Sequence, residues 1–264
     1  MLSKTRIKLI RSLEHRKYRR AEGLFVAEGY KLVGELLSAG HRPVYVCHTG
    51  QWNRHADGAG QPLTLPCPTD MVTEEELCRV SMLQHPQQVL ALFAIPQWPL
   101  PSPQQAAKEL MLALDGVQDP GNLGTICRIA DWFGIENIVC SLETADIFNP
   151  KAIQATMGAI SRVRIHYTDL AEFLHAAAGT GAPVYGTFLD GQDIYRRPLT
   201  PHGIIVMGNE GKGISASIAG TVSDRLFIPN YPPERTTTES LNVAVATAIT
   251  CAEFRRRGQD TCTM

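Results

Sequence analysis

The chain has 264 residues, of which 44% are apolar and 19% are charged. This length allows one large or two ordinary domains with sizeable cores, and the balance excludes wholesale disorder and a fibrous repeat. The 25 basic and 26 acidic side chains give a formal net charge of −1. Any nucleic-acid partner must therefore be bound by a local basic surface and not by the molecule as a whole.

The cysteine pattern and the lack of long apolar runs indicate the compartment. No C-x-x-C pair occurs, which predicts reduced thiols in a cytoplasmic protein and argues against a disulfide framework or a zinc site. No apolar run approaches the ~18 residues of a membrane span, and the charged first twenty residues lack the apolar segment of a signal peptide. We therefore expect neither a membrane nor a metal partner. The seven cysteines are Cys47, Cys67, Cys78, Cys127, Cys140, Cys251 and Cys262.

Positive charge is concentrated at the start of the chain. Residues 1–20 contain eight basic residues and one acidic residue, a net charge of +7. This concentration fits an RNA phosphate backbone, for which Lys17, Arg19 and Arg20 are the candidate contacts. It fits equally well a solvated amphipathic helix with its apolar residues on one side, and charge alone leaves both interpretations open.

The N-terminal part alternates short apolar runs with helical patterns. Four prolines within eight residues, from Pro96 to Pro103, then prevent a continued helix or central strand, because proline lacks an amide donor and restricts its predecessor. We predict one domain over residues 1–96, a linker over 97–106 and a second domain over 107–264. Before the linker, strands are predicted at 24–27, 44–47 and 89–95, and helices at 3–14, 29–39 and 73–83.

After the linker, short apolar strands alternate with helices. This alternation predicts an α/β fold with a parallel sheet. In such sheets, binding sites lie beyond the carboxyl ends of the strands, so the loops that follow strands are the candidate sites. The predicted strands are 110–114, 137–140, 163–166, 184–187, 204–207 and 226–228, and the predicted helices are 122–133, 150–159, 168–177 and 240–256.

The loop after the first of these strands contains a turn, Asp119-Pro-Gly121, followed by Asn122. Asn122 is predicted to cap the next helix. Arg128 then lies on the second helical turn, ~9 Å along the axis, among apolar neighbours. It is either a surface arginine that covers apolar surface or a functional cation, and position alone favours the first interpretation.

Three glycines within six residues follow the strand at 204–207: Gly208, Gly211 and Gly213. They predict a backbone that approaches a ligand closely. Their spacing fits neither a P-loop nor a dinucleotide-binding fingerprint, and Lys212 is not followed by serine or threonine. A plain tight turn remains the alternative.

A proline-rich loop leaves the last strand at Pro229 and reaches Ser240, which is predicted to cap the last helix. Apolar residues on all sides of that helix predict that it is buried nearly all round. Such burial at the end of a domain of this size indicates an interface between identical subunits.

These three stretches, in this order and at strand ends, resemble the SpoU (TrmH-type) RNA 2′-O-ribose methyltransferases of the SPOUT superfamily. Each motif alone is weakly specific, whereas the three together are highly specific. The N-terminal part is similar, more loosely, to the smaller α/β substrate-binding domain of that family. The segments that carry the resemblance are Asn122-Leu-Gly-Thr-Ile-Cys-Arg128, Gly208-Asn-Glu-Gly-Lys-Gly213 and Ser240-Leu-Asn-Val243.

The resemblance implies a methyltransferase domain whose parallel sheet carries a trefoil knot, with S-adenosylmethionine bound in the knot, and a homodimer. It also implies an RNA substrate, ribosomal more than transfer RNA, because an accessory domain offers extra surface for a structured RNA. The loop from Pro229 to Ser240 is longer and richer in proline and threonine than the usual family version. The implied cofactor-binding residues are Thr187, Met207, Gly208, Ile228 and Leu241, and the implied catalytic residues are Asn122, Arg128, Glu210, Ser240 and Asn242.

Two other classes of function compete with this interpretation. A non-catalytic RNA-binding module of the same fold would be free to lose the catalytic residues, and all five are present. A nucleotide-dependent oxidoreductase needs G-x-G-x-x-G after the first strand of a domain, and neither domain has it. We therefore expect an S-adenosylmethionine-dependent RNA 2′-O-ribose methyltransferase in which the guanidinium of Arg128, which stays protonated, stabilises charge on the 2′-oxygen.

Overall fold

The computed structural model describes residues 2–52, 65–232, 234–235 and 240–260. For residues 258–260 it describes the backbone and not the side chains. Two compact units divide the chain. The first comprises Met1–Gln97 and Asp146–Arg162, and the second comprises Trp98–Ala145 and Val163–Met264.

Helices and strands are interspersed throughout the described residues. Up to the proline-rich segment they are α1 (Lys4–Ser12), α2 (Arg16–Glu22), β1 (Leu24–Glu28), α3 (Tyr30–Ser38), β2 (Pro43–His48), β3 (Thr69–Met71), α4 (Glu74–Val80) and β4 (Val89–Ala94). After it they are β5 (Leu110–Leu114), α5 (Pro120–Trp132), β6 (Asn137–Cys140), α6 (Pro150–Thr156), β7 (Arg164–Tyr167), α7 (Leu170–Ala178), β8 (Val184–Asp193), β9 (Gly203–Met207), α8 (Ala216–Ala219), β10 (Asp224–Phe227) and α9 (Val243–Asp260). Short 3₁₀ turns occupy Pro103–Ala107 and Ala159–Ser161.

The first unit is built on a four-stranded sheet with the strand order β1-β4-β2-β3. β4 pairs antiparallel with both β1 and β2, and β2 pairs parallel with β3. The strands predicted at 24–27, 44–47 and 89–95 are confirmed as β1, β2 and β4. α2 and β3 were not predicted, because they have only seven and three residues and are too short to show a periodic pattern.

The segment Asp146–Arg162 lies inside the range predicted for the second domain but packs in the first unit. Two contacts explain this placement. The ring of Phe148 lies 5.1 Å from the ring of Phe25, measured between centroids. The carboxylate of Asp146 forms an ion pair of 2.6 Å with the guanidinium of Arg19. The first unit is therefore completed by residues from the middle of the chain.

The second unit contains a six-stranded sheet with the order β10-β8-β9-β5-β6-β7. All its pairings are parallel, as the alternation of strands and helices predicts. β5 and β9 are the central pair, and their strands are fully buried. The pairing of β10 with β8 jumps from Gly186 to Gln192, so the residues 187–191 bulge out at the end of this pair. The carboxyl ends of all six strands lie at one edge of the sheet.

The last helix differs from the prediction. α9 begins at Val243 and not at Ser240, because the side chain of Asn242 accepts hydrogen bonds from the amides of Ala244 and Val245 and ends the preceding loop. Within one chain the helix is not buried on all sides. Val245 is 49% exposed, since α9 packs on α5 with one face and leaves another face uncovered.

The thiol prediction agrees with the environment of the cysteines. Among the described residues no disulfide bond is formed, and Cys262 lies outside those residues. Burial raises the pKa of the Cys47 and Cys251 thiols to about 12, so both are neutral core side chains at physiological pH. Within the described ranges, no helix combines the length and the apolar character needed to cross a bilayer.

Candidate active site at the carboxyl ends of the strands

α5 begins directly after the loop that follows β5. Asp119 caps this helix by accepting a 2.8 Å hydrogen bond from the amide of Asn122, and Pro120 occupies the first helical position, where its missing amide costs nothing. Asn122, predicted to be the cap, is therefore inside the first turn. Because Asp119 caps the helix, the side chain of Asn122 is available for contacts outside its own helix.

The loop that follows β9 is held closed by the side chain of Asn209 and by a close approach of the backbone at Gly208. The side chain of Asn209 accepts hydrogen bonds from the amides of Gly211 and Lys212 at 2.9 and 3.0 Å, and donates one of 2.6 Å to the carbonyl of Gly116 after β5. A Cβ atom on Gly208 would lie 2.3 Å from the carbonyl carbon of Gly213. Glycine at 208 is thus required by the closure of this loop. The closing of this loop by Asn209 was not predicted, although an asparagine beside a glycine is a typical turn signal.

Three of the predicted catalytic residues form one chain of hydrogen bonds. The amide nitrogen of the Asn242 side chain donates to the side-chain oxygen of Asn122 at 3.0 Å. The side-chain nitrogen of Asn122 donates to the carboxylate of Glu210, also at 3.0 Å. That carboxylate in addition faces the backbone amides of Gln118 and Asp119 at 3.3 and 3.5 Å. The three loops that the motifs occupy are therefore connected side chain to side chain.

α5 and α9 run parallel, with both N-termini at this chain of hydrogen bonds. Asn242 bonds Asn122 at one end. At the other end, the guanidinium of Arg255 donates to the carbonyls of Phe133 and Gly134 at 2.7 and 3.0 Å. The amino ends of two helices carry partial positive charge, so this edge of the sheet favours an anionic group such as a phosphate or a developing oxyanion.

The other two predicted catalytic residues, Ser240 and Arg128, have exposed side chains. Ser240 is exposed two residues before Asn242. Arg128 is exposed on α5, one helical turn before Trp132, which is 82% exposed. Among the described residues, no hydrogen-bond or ion-pair partner contacts the guanidinium of Arg128. It is therefore free to bind an anion.

The predicted cofactor-binding residues follow three adjacent strands. Thr187 follows the last regularly paired residue of β8, Met207 ends β9, and Ile228 follows β10. The hydroxyl of Thr187 lies 3.8 Å from the sulfur of Met207. Leu241 is half-exposed beside Asn242. Uncharged side chains and strand-end backbone fit an adenosyl group, and among the described residues no cluster of His, Cys, Asp or Glu is placed to hold a metal ion.

The predicted RNA-binding residues of the first unit do not share one environment. Lys17 and Arg20 are exposed on α2, and the ammonium of Lys17 lies 4.7 Å from the ring centroid of Tyr18. Arg19 is 1% exposed, and its guanidinium is bonded to Asp146 and to the carbonyls of Leu13 and Glu14. The structure therefore contradicts the prediction for Arg19, which holds the fold and cannot reach a phosphate.

Comparisons with known proteins agree with this geometry. Residues 109–252 match the model of the SpoU rRNA methylase family, and residues 4–91 match that of the MRM3-like substrate-binding domain. The chain belongs to the SpoU rRNA methylase family. It is 33% identical, over 70% of its length and 71% of the relative, to the 23S rRNA (guanosine(2553)-2′-O)-methyltransferase of Bacillus subtilis.

Solved structures of SpoU-type proteins cover almost the whole chain. A TrmH-family protein from Porphyromonas gingivalis is 43% identical, with a TM-score of 0.85 over 97% of this chain and 99% of that one. The AdoMet-bound rRNA methyltransferase of Sinorhizobium meliloti is 30% identical, with a TM-score of 0.82 over 97% of both chains. The chain is therefore an S-adenosylmethionine-dependent RNA 2′-O-ribose methyltransferase. The family match and these relatives confirm the predicted activity and cofactor.

Proposed function

We propose that Asn122, Arg128, Glu210, Ser240 and Asn242 form the catalytic site for methylation of a ribose 2′-hydroxyl. The hydrogen-bonded chain from Glu210 through Asn122 to Asn242 is the observation that carries this proposal. It connects the first turn of α5, the loop after β9 and the residue that caps α9. Because each side chain is held by the next, the three loops present one preorganised polar surface.

S-adenosylmethionine supplies an electrophilic methyl group when it is bound beside Thr187, Met207, Gly208, Ile228 and Leu241. A ribose hydroxyl is a weak nucleophile, so the protein must place it in line with that methyl group and favour its loss of a proton. The guanidinium of Arg128 stays protonated at any physiological pH. We assign it to the neighbouring phosphate and to the negative charge that develops on the 2′-oxygen. Glu210, Asn122 and Asn242 orient the hydroxyl, with Ser240 beside them.

Replacing Arg128 by lysine tests its role. Lysine keeps the charge but cannot direct two donors from one planar group, so we expect the single-turnover methylation rate to fall ~10²-fold, with little change in cofactor affinity. Arg196→Lys, on an exposed arginine of the same unit, is the matched control. A rate for Arg128→Lys within a few-fold of the wild type would assign Arg128 to covering apolar surface instead.

The chemical position of the methyl group gives a second test. A methylated ribose blocks alkaline cleavage on its 3′ side, because the 2′-hydroxyl that attacks the phosphate is capped. We expect one such alkali-resistant linkage per modified RNA. A methyl group found on a base would overturn the proposed chemistry of the site.

We propose ribosomal RNA as the substrate and the cytoplasm as the place of action. The relative from Bacillus subtilis is named for 23S rRNA, and the match of residues 4–91 to a substrate-binding domain supplies the accessory surface that a structured RNA needs. Lys17 and Arg20 of α2 are the proposed phosphate contacts. Mapping of ribose methylation in all RNAs, from cells with and without the gene, tests this choice, and a lost methyl group in transfer RNA would contradict it.

We also propose a homodimer and the family's trefoil knot. The exposed faces of α5 and α9 carry Trp132 and Val245 with apolar side chains in solvent, and a second copy is the partner that would cover them. Arg128 lies on the same face as Trp132, so it would lie at this interface. For the knot, the supporting observation is that Asn242 follows β10 yet bonds Asn122 after β5, although β8 and β9 separate these strands.

A further inference from the structure

A depression of about 490 Å³ lies in the second unit beside the hydrogen-bonded chain of the candidate site. Its walls are the loops that follow β5, β6, β7 and β9, so it occupies the same edge of the sheet as the catalytic residues. Gln118 and Asn209 belong to its wall, and the amide of Gln118 faces the carboxylate of Glu210 at 3.3 Å. None of the residues assigned to the cofactor lines it. The depression is of a size that fits one nucleoside.

The charged groups of this depression are mostly acidic. Three carboxylates, of Asp115, Glu143 and Asp169, and one ammonium, of Lys212, line it. Their sum of −2 repels a phosphate and favours a ligand group that offers hydrogen-bond donors. Two of the carboxylates form hydrogen bonds with the backbone. Asp115 accepts from the amide of Ser215 at 2.7 Å, and Asp169 accepts from the amide of Glu172 at 3.0 Å.

The charged groups of Glu143 and Lys212 are available for a ligand. Within the described part of the chain, neither the carboxylate of Glu143 nor the ammonium of Lys212 has a hydrogen-bond or ion-pair partner. Both groups line the same depression, yet they do not pair with each other. The depression also presents apolar surface, since Leu142, which is 60% exposed, is one of the residues that line it. An aromatic ring with donors and acceptors on its edge fits this combination.

We propose that this depression binds the guanine base of the nucleotide whose ribose is methylated. Guanine alone among the four RNA bases presents two adjacent donor groups, N1–H and N2–H, beside a carbonyl acceptor, O6. A carboxylate such as that of Glu143 accepts from the two donors, and Lys212 donates to O6. Leu142 packs on the face of the ring. Reading of an unstacked base through its Watson–Crick edge and its face is the common mode of single-nucleotide recognition.

The position of the depression selects the base of the methylated nucleotide. The 2′-oxygen must reach the site of Glu210 and Asn122, and the base is attached to the neighbouring carbon of the same ribose. Asn209, in the wall of the depression, directly precedes Glu210, and the amide of Gln118, also in the wall, faces the carboxylate of Glu210. This inference rests on the proposed function, because it uses the proposed place of the ribose.

A base-substitution cycle tests the assignment. Once the methylated position is mapped, transcripts carrying guanosine or inosine there are compared, since inosine lacks only the N2 amino group. With the wild type we expect kcat/KM to fall ~10-fold or more for inosine. With Glu143→Gln the guanosine transcript should lose a similar factor, and the difference between guanosine and inosine should shrink to within about two-fold. Glu172→Gln, on a neighbouring exposed carboxylate outside the depression, should keep the wild-type preference.

Three outcomes would overturn the proposal. The first is a methylated nucleotide other than guanosine. The second is an unchanged preference for guanosine in both Glu143→Gln and Lys212→Met. The third is an equal gain or loss on every RNA for Glu143→Gln, which would mean a general charge effect.

A binding measurement separates this proposal from the proposed function. Saturation-transfer NMR on the wild-type protein loaded with S-adenosylhomocysteine compares guanosine 5′-monophosphate with adenosine 5′-monophosphate. We expect a signal for the guanine nucleotide that Glu143→Gln removes, even if no RNA is methylated in the assay. Methylation of ribose with no guanine-specific signal and no base preference would leave the proposed function intact and overturn the base pocket.

Discussion

Arg19 and Arg20 are neighbours on α2 with opposite surroundings. The guanidinium of Arg19 is buried between Asp146 and two backbone carbonyls, whereas Arg20 is exposed. A charge surrounded by protein is tolerated only if it is paired and hydrogen-bonded. One of the two arginines therefore belongs to the fold, and the other lies on the surface.

Removing each arginine separately should show this difference. Arg19→Ala leaves the carboxylate of Asp146 without its counter-ion in a largely buried position, so we expect the free energy of unfolding to fall by about 3–5 kcal/mol. Arg20→Ala is the matched control and should change it by less than about 0.5 kcal/mol. Urea denaturation of the full chain measures both. Equal stability of the two variants would show that the Arg19–Asp146 pair contributes nothing.

Asn242 has two roles at once, as the cap of α9 and as a donor to Asn122. Substitution by aspartate separates them, because a carboxylate caps a helix as well as an amide oxygen but cannot donate to Asn122. We expect Asn242→Asp to keep the melting temperature and to lose methylation activity, by ~10-fold or more. Asn242→Ala should lose both, with about 1 kcal/mol of stability. An active Asn242→Asp variant would show that the donor to Asn122 is not needed.

The sequence predicts which residues belong to the candidate site, but it could not predict how they are connected. Asn122, Glu210 and Asn242 are identified by the motifs that contain them. That they bond in the order Glu210, Asn122, Asn242 depends on where α5 and α9 begin, and both caps were predicted three residues or fewer from their true positions. The burial of Arg19 was not predictable either, since its counter-ion Asp146 is 127 residues away.

At the level of elements, the strands of the second unit are the best-predicted feature. The central strands β5 and β9 are continuous apolar runs, because a parallel strand inside the sheet is covered on both faces. The predictions were poorest for short or irregular pieces: α8 has four residues, and β8 continues through a bulge to Asp193, six residues beyond its predicted end. A bulge shifts the pairing without leaving a pattern in the sequence.

The exposed cations of α2 are expected to contribute to RNA affinity. Each phosphate that a cation neutralises adds about 0.7–0.9 to the slope of log K against log salt concentration. The double variant Lys17→Gln with Arg20→Gln should thus reduce the magnitude of that slope by about 1.4–1.8 and leave cofactor affinity unchanged. Arg79→Gln with Lys108→Gln removes two exposed cations elsewhere and serves as the control. An unchanged slope for the α2 variant would identify the patch as a solvated helix face.

For the whole molecule, we expect the exposed face of α9 to form the proposed interface between two copies. The protein should sediment at about twice the 29.0 kDa chain mass at micromolar concentration. Val245→Glu should shift it toward the monomer without unfolding, because this side chain is already half in solvent within one chain. Leu100→Glu, at a similarly exposed apolar side chain outside α5 and α9, should remain dimeric. A wild-type monomer that still methylates RNA would contradict the dimer.

The discontinuity of the first unit sets the order in which the protein can be completed during synthesis. The ribosome releases residues 1–97 first, yet Arg19 and Phe25 lack Asp146 and Phe148 until the chain has grown past residue 148. A fragment that ends at the proline-rich segment would carry an unpaired buried cation and an uncovered aromatic ring. Exchanging the substrate-binding part between related enzymes therefore requires transplanting Asp146–Arg162 together with it.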